Sequence, residues 1–399
     1  MSVQTVVIIG GGVIGLSTAY QLASKGTGRV VLLDKGKLGE GSSARAAGIG
    51  THLVWSETGI RARKIGFRLF RQFSEEWDDY KFHNEHGCLN LFTPDAWPAR
   101  TPLLPLYDQL DVPYEVLSAA EIRHRWPDLH PPEGFVGLFD PRAGYSEPSE
   151  YIAALTRRVR ELGVEIYEGE PVVEFLRQGD RVTGVRTPQR TVEADAVVST
   201  VHVWSLPLWC ELPLRLPMKH FVHQRYVTVP LDKPLVAPAV NADPYSGYVR
   251  PAAGNRVLMG IETTQREEFR VPSREFVMDE LNVPQSVRDE GQRNFVDFAP
   301  ALRDAAWESQ HVGLISYTSD GEPVLGPVPQ LPGLFVAASF HSGGFSYNAV
   351  AGQLMAEWVV DGKTSIDTTA FLPSRFSAEA TERHLATTVP QAEAVRRRH

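Results

Sequence analysis

The chain has 399 residues, 43% of them hydrophobic and 22% charged, enough for two or three packed cores. Its formal charge of −8 argues against a general nucleic-acid binder. Two distant cysteines, Cys88 and Cys210, make neither a disulfide framework nor a metal spacing, and no run approaches the roughly 20 apolar residues of a membrane span.

Val6 to Ile9 is a continuous apolar, β-branched run, as in a parallel strand buried on both faces. Gly10, Gly12 and Gly15 follow in G-x-G-x-x-G spacing, and the next residues predict a helix over Val13–Ser24. In that spacing the first glycine permits a tight turn and the second lets a pyrophosphate approach the backbone. The third lets the helix pack on the strand, and the helix start aims its amides at phosphate. A second strand over Arg29–Leu33 ends at Asp34, about 20 residues on, where an acid binds a ribose hydroxyl. The pattern predicts a dinucleotide site and leaves NAD and FAD open. No basic segment precedes the apolar run, so it reads as a strand and not a signal peptide, and the cytoplasm is the expected compartment.

A small, glycine-rich loop spans residues 39–49. A helix is expected from about Gly59 to Tyr80, with Ile65, Leu69, Phe73 and Trp77 as its core stripe. Residues 81–147 are rich in proline and aromatics, and Ser118 with Glu121 reads as a capping box. A helical pattern returns near Ser149, followed by strand, hairpin and strand to Thr200, with Gly179-Asp180 at the hairpin turn. From about Leu216 to Val312 longer strands are expected, in HFVHQRYVTVP, SGYVRP and RVLMGIETT, with helical patches near 273–281 and 284–304. Residues 334–338 read as another buried parallel strand, which leads through a glycine-rich turn into a helix; residues 380–399 are polar and expected to fray. The nucleotide-binding part thus falls in three pieces around two insertions.

Taken in order, VVIIGGGVIGLSTAYQLASKG, VVLLDKG, GSSARAAGI, GVEIYEGEPV, AVVSTVHVWS, YTSDGEPVLGPVP and GLFVAASFHSGGFSYNAVAGQL resemble the FAD-dependent amine and amino-acid oxidoreductases of the D-amino-acid-oxidase-like superfamily. The resemblance implies an α/β chain, α+β overall. A Rossmann-like FAD-binding domain (1–85, 148–215 and 313–370) would carry a mostly antiparallel substrate domain (86–147 and 216–312), with a C-terminal extension at 371–399. It implies that Gly10, Gly12, Val13, Ile14 and Gly15 hold the FAD pyrophosphate and Asp34 the ribose, with Lys35 beside it. Ser42, Ser43, Arg45, Ala46, Ala47, Gly48 and Ile49 would run along the cofactor, Val172 would touch the adenine, and Thr200 and Trp204 would also bind the cofactor. Gly343, Gly344, Phe345 and Ser346 would flank the flavin's pyrimidine edge. The implied reaction is hydride transfer from the carbon beside an amine nitrogen to flavin N5.

The sequence also departs from that pattern. Relatives with covalent flavin use a cysteine or histidine where Ile315 and Arg45 stand, so FAD is expected to be non-covalent. The strand Arg256–Gly260 lacks the lysine that serves oxygen in sarcosine oxidases, which leaves oxidase and dehydrogenase open. Ile315 and Ser342 stand where glycine oxidase has carboxylate-clamping arginines, so Arg250 is the candidate clamp. Tyr317 matches a tyrosine of the family's substrate cavity, and Tyr248 shares a strand face with Arg250. His341 and His52 are candidates to titrate near neutrality. His202 replaces a usual glycine, and no metal-ligand spacing is present. The expected partner is a small amine or amino acid (sarcosine, glycine or proline-like), with the electron acceptor and any homo- or hetero-oligomer open. Two alternatives stand beside it: a 2-hydroxy-acid dehydrogenase, and a flavin-containing subunit or assembly factor.

Overall fold

A computed structural model describes residues 4–261, 268–282 and 284–388. Thr5–Ile9 is the inner strand of a six-stranded sheet, flanked in parallel by Ala196–Ser199 and Arg29–Leu33. Glu165–Tyr167 and Leu334–Ala338 extend the sheet in parallel, and Val324–Pro327 closes one edge antiparallel. Because side chains alternate along a strand, Val6 and Ile8 face one core while Val7 and Ile9 face another. The first core lies under the helices Val13–Ser24, Glu57–Glu76, Pro148–Glu161 and Gly344–Asp361. The second lies under the three-stranded meander Glu174–Gln178, Arg181–Arg186 and Thr191–Glu193.

An eight-stranded sheet stands opposite. Its order is Trp307–Thr318, Met218–Thr228, Arg256–Ile261, Gly247–Ala252, Ala239–Ala242, Cys88–Phe92, Val136–Asp140 and Glu115–Ser118. All pairings are antiparallel except Ala239–Ala242 with Cys88–Phe92. Cross-strand register aligns Arg225, Gly260, Tyr248, Asn241 and Asn90 in one row, so their side-chain directions share a face. The opposite face, with Tyr226, Val249 and Met259, packs on Phe295 and Phe298 around the helix Gln285–Phe295.

Several expectations change. The second helix spans Glu57–Glu76, because Trp77 is already extended as its C-cap. Residues 273–281 hold only a three-residue 3-10 turn, Met278–Glu280, since their side chains and carbonyls serve the cleft described below. The expected 284–304 helix stops at Phe295, and a separate turn, Pro300–Leu302, follows. Residue 313, an expected domain boundary, falls inside the strand Trp307–Thr318, which the Met218–Thr228 pairing holds straight across it. The polar C-terminal segment forms a helix, Ala378–Ala386, tied back by Arg215 to Glu382 at 2.6 Å; residues 389–399 lie outside the described residues. The capping box at Ser118 and Glu121 is present. No helix among the described residues is long and apolar enough to cross a membrane.

Candidate active site

A cleft of about 580 Å³ lies between the strand ends of the six-stranded sheet and the Tyr248 row of the eight-stranded one. That volume is in the range of small-molecule and cofactor sites. Every residue expected along the cofactor lines it except Gly15, Gly343 and Ser346. Gly15 is packed: a Cβ there would sit 1.8 Å from the Gly10 carbonyl oxygen, so only glycine lets helix and strand approach. The helix Val13–Ser24 has no side-chain cap on Gly12 and no acid in its first turn, while Ser43 Oγ accepts from the Val13 amide at 3.0 Å. A positive helix end facing the cleft fits a phosphate group. Asp34 lines the cleft beside it, its carboxylate accepting from Gly11 N (2.6 Å) and Gly36 N (2.7 Å); burial pushes its pKa up, against those two amides.

Two expected cofactor contacts turn out to spend their charge on protein. Lys35 Nζ donates to the carbonyls of Arg274 (2.8 Å) and Phe276 (2.5 Å) and lies 4.3 Å from the Trp204 ring centre. Trp204 Nε1 donates to the same Phe276 carbonyl at 2.7 Å, and Arg45 pairs with Asp279 at 2.5 Å. The segment 274–279 is thereby held across the ribose end, and Arg274, Val277 and Asp279 line the cleft. His202 has φ +50°, the left-handed region in which glycine is comfortable, which accounts for the glycine usual there. Its ring bonds the Leu314 carbonyl at 3.0 Å, and burial pushes its pKa down.

The other end of the cleft is walled by side chains. Tyr248 lies over Gly260, where a Cβ would come 1.9 Å from the ring, and its hydroxyl reaches His223 Nε2 at 2.8 Å. Both line the cleft, as does Asn241, which donates to Asn90 at 2.8 Å. Across from them stand His341, Ser342, Gly344 and Phe345, at the start of the helix Gly344–Asp361. His341 sits at φ +45° with Nδ1 accepting from Gly343 N at 3.2 Å. Burial, aided by the Arg63 charge, pushes its pKa down to about 3, so it is neutral and does not titrate near neutrality as expected.

Three expected catalytic residues are not at the cleft. Arg250 is fully buried, with its fork closed on Glu147 at 2.8 and 2.9 Å and Nε donating to the Ala47 carbonyl at 2.8 Å. It has no fork left for a substrate carboxylate and instead anchors the loop that carries Ala47. His52 is buried, with Nδ1 2.9 Å from Asp140 Oδ2 and its ring against Phe67. Burial raises the Asp140 pKa, but the His52 contacts outweigh it and hold the carboxyl below its usual range. Tyr317 is buried between Phe221 and His341, behind the lining. Sequence reasoning did not single out Asn241, Arg63 or Glu147, and it left His223 without a role. In the structure, alternation along Met218–Thr228 sets His223 on the Arg225 face, and cross-strand register brings that face to Tyr248.

Residues 5–358 match the family model described as DAO, FAD dependent oxidoreductase. The chain is 30% identical over 391 residues to a 4-methylaminobutanoate oxidase (formaldehyde-forming) of Paenarthrobacter nicotinovorans, covering 95% of this chain and 46% of that protein. It is 26% identical to the mitochondrial pyruvate dehydrogenase phosphatase regulatory subunit of Mus musculus, covering 94% and 43%. The chain thus spans about half the length of these curated relatives. Among solved structures, L-proline dehydrogenase from P.horikoshii superposes with a TM-score of 0.85 at 24% identity, covering 94% of this chain and 97% of that one, and shares the fold.

Proposed function

This chain belongs to the DAO family of FAD dependent oxidoreductases, and from that premise we propose that it oxidises the carbon–nitrogen bond of a small amine or amino acid of the sarcosine, glycine or proline type. The observation that carries this reading is the His223–Tyr248 hydrogen bond on the cleft wall opposite the Gly344–Asp361 helix. FAD, when bound, supplies the two-electron acceptor for the hydride. A hydride leaves carbon only when the neighbouring nitrogen carries a lone pair, so an ammonium must first lose its proton. Tyr248 Oη takes that proton from the amine nitrogen as it passes its own to His223 Nε2, a general-base step over one hydrogen bond. Water then hydrolyses the imine product.

Arg45 and Ile315 line the cleft and carry neither thiol nor imidazole, which supports FAD held without a covalent bond. The cofactor side draws mainly on residues 1–85, 148–215 and 313–370, with 274–279 crossing the ribose end, and the substrate wall draws on 216–312, backed by 86–147 through Asn90. With Arg250 committed to Glu147, a substrate carboxylate meets neutral groups such as Asn241 and Ser342, so an α-carboxylate contributes little to selectivity. The lining lysines, Lys35 and Lys37, stand at the ribose end, which supports a dehydrogenase with an acceptor other than oxygen. The lack of a free carboxylate clamp among the described cleft residues, together with a relative named as a regulatory subunit, favours one second reading: a flavin-containing subunit that works with a partner.

The test is an anaerobic titration of the FAD-loaded chain with sarcosine, dimethylglycine, proline, glycine, 4-methylaminobutanoate and 2-hydroxy acids. Bleaching of the flavin band near ~450 nm by an amine is the expected result. Bleaching by hydroxy acids alone overturns the amine reading, and bleaching by none of them moves the weight to the partner-dependent one.

A further inference from the structure

We propose that Arg63 is a positioning residue that raises the reduction potential of bound FAD, its buried charge stabilising the negative charge the cofactor gains with electrons. Arg63 projects from the helix Glu57–Glu76 and is 1% exposed. Its Nη1 donates to Ser346 Oγ, and its guanidinium lies 3.9 Å from the Tyr347 ring centre. A Cβ on Gly343 would come within 2.4 Å of Nη2, so the guanidinium rests directly on the backbone that caps the helix Gly344–Asp361. His341, Gly344 and Phe345 form the other side of that turn and line the cleft. The charge is therefore one residue layer behind the wall, where a substrate does not touch it.

The direction of the cofactor follows from the cleft. Asp34 marks the ribose end and the Val13 turn the phosphates, so the redox ring falls at the far end, between this turn and Tyr248. There the helix contributes about half a positive charge, and Arg63 adds a whole one in a low-dielectric surrounding. Arginine stays charged even when burial lowers its pKa, as it does here. The same field works against protonation of His341, and Glu322 acts on Arg63 from the opposite sign. Burying a guanidinium costs several kcal/mol, so an apolar side chain would serve packing alone at less cost.

The test is the midpoint potential of bound FAD in the full-length holoprotein, read by spectrum against a reference dye with a chemical reductant. It rests on the FAD reading and not on the substrate, so its outcome is separate from that of the amine titration. Arg63→Gln and Arg63→Met are expected to shift the reduced-to-oxidised ratio at fixed potential at least tenfold toward oxidised. For a two-electron couple that is a fall of about 30 mV. Arg63→Lys, which keeps the charge, is expected to stay closer to the parent. An unchanged potential in a neutral variant that still binds FAD overturns the proposal. Where neither neutral variant holds FAD, Ser346→Ala, which removes the acceptor that aims Nη1, is expected to lower the potential by a smaller amount, and no change there overturns it.

Discussion

On the six-stranded side the cleft is walled by backbone: Gly10 and Gly12, the first turn of Val13–Ser24 and the loop from Ser42 to Ile49. On the eight-stranded side it is walled by side chains, His223, Asn241 and Tyr248, brought together from three strands. A backbone wall recognises a shape common to many nucleotides and tolerates little change in its spacing. A side-chain wall can be exchanged residue by residue, so chemistry is expected to change there while the cofactor stays. The two sides should accordingly fail in different ways when altered.

The largest expected effect is on the backbone side. Gly15→Val places atoms inside the van der Waals distance of the Gly10 carbonyl, already met at 1.8 Å by a bare Cβ. The variant is expected to lose both FAD and its cooperative melting transition, as measured by absorbance and calorimetry. A yellow, normally melting Gly15→Val protein would break the comparison.

Next comes the joint between the two walls, the Arg250–Glu147 pair. Glu147→Gln leaves a buried guanidinium without its counter-charge, at a cost of about 3 kcal/mol. Urea unfolding should show that loss, together with weaker FAD binding through the Ala47 loop, while the substrate KM stays unchanged. A large rise in KM with stability intact would return Arg250 to the role of substrate clamp.

The difference between the walls also decides what could be read from the sequence. Strand, turn, helix, strand and acid succeed one another between Thr5 and Asp34, and each acts through local backbone geometry, so the nucleotide side was legible in order. The strand at Leu334–Ala338 was legible for the same reason, as a continuous apolar run. The substrate wall was not. Arg250 meets an acid 103 residues away, and His52 one 88 residues away, and neither spacing carries a periodic signal. Arg250 and His52 accordingly read as site residues from their chemistry alone. The long strand Trp307–Thr318 was missed because its first half alternates exposed and half-buried polar residues, and pairing with Met218–Thr228 supplies its order. His202 had a reason only once its φ was known.

A smaller effect should come from pH. An unfolded imidazole binds a proton near pH 6.5, whereas His341 and His220, held down by burial, do so at about 3 and His311 at about 4. Between those values the unfolded chain binds more protons, so stability rises with pH and is lost as pH falls from about 6.5 toward 4. Urea midpoints at pH 7.5 and 5.0 should differ in that direction, and equal midpoints would contradict burial of these rings. His341 lines the cleft and His311 lies on the strand Trp307–Thr318 opposite Arg225, so replacing each by Asn or Gln should divide the effect between the two places.

The smallest effect is expected at the ribose end. Lys35→Met keeps the contact with the Trp204 ring but removes the donors to Arg274 and Phe276. FAD should dissociate several-fold faster in a fluorescence assay, with the turnover number unchanged. Identical dissociation would mean that Trp204 and Arg45 hold the segment without help.

The most direct test of the account compares wild type and Tyr248→Phe in anaerobic stopped flow with whichever amine bleaches the wild type. If the side-chain wall manages the amine proton and the backbone wall holds FAD, the variant keeps its full flavin spectrum and bleaches at least a hundredfold more slowly near neutral pH. It should recover at pH values where the amine is already neutral. A variant that bleaches at the wild-type rate across the same pH range would contradict the role given to the His223–Tyr248 pair.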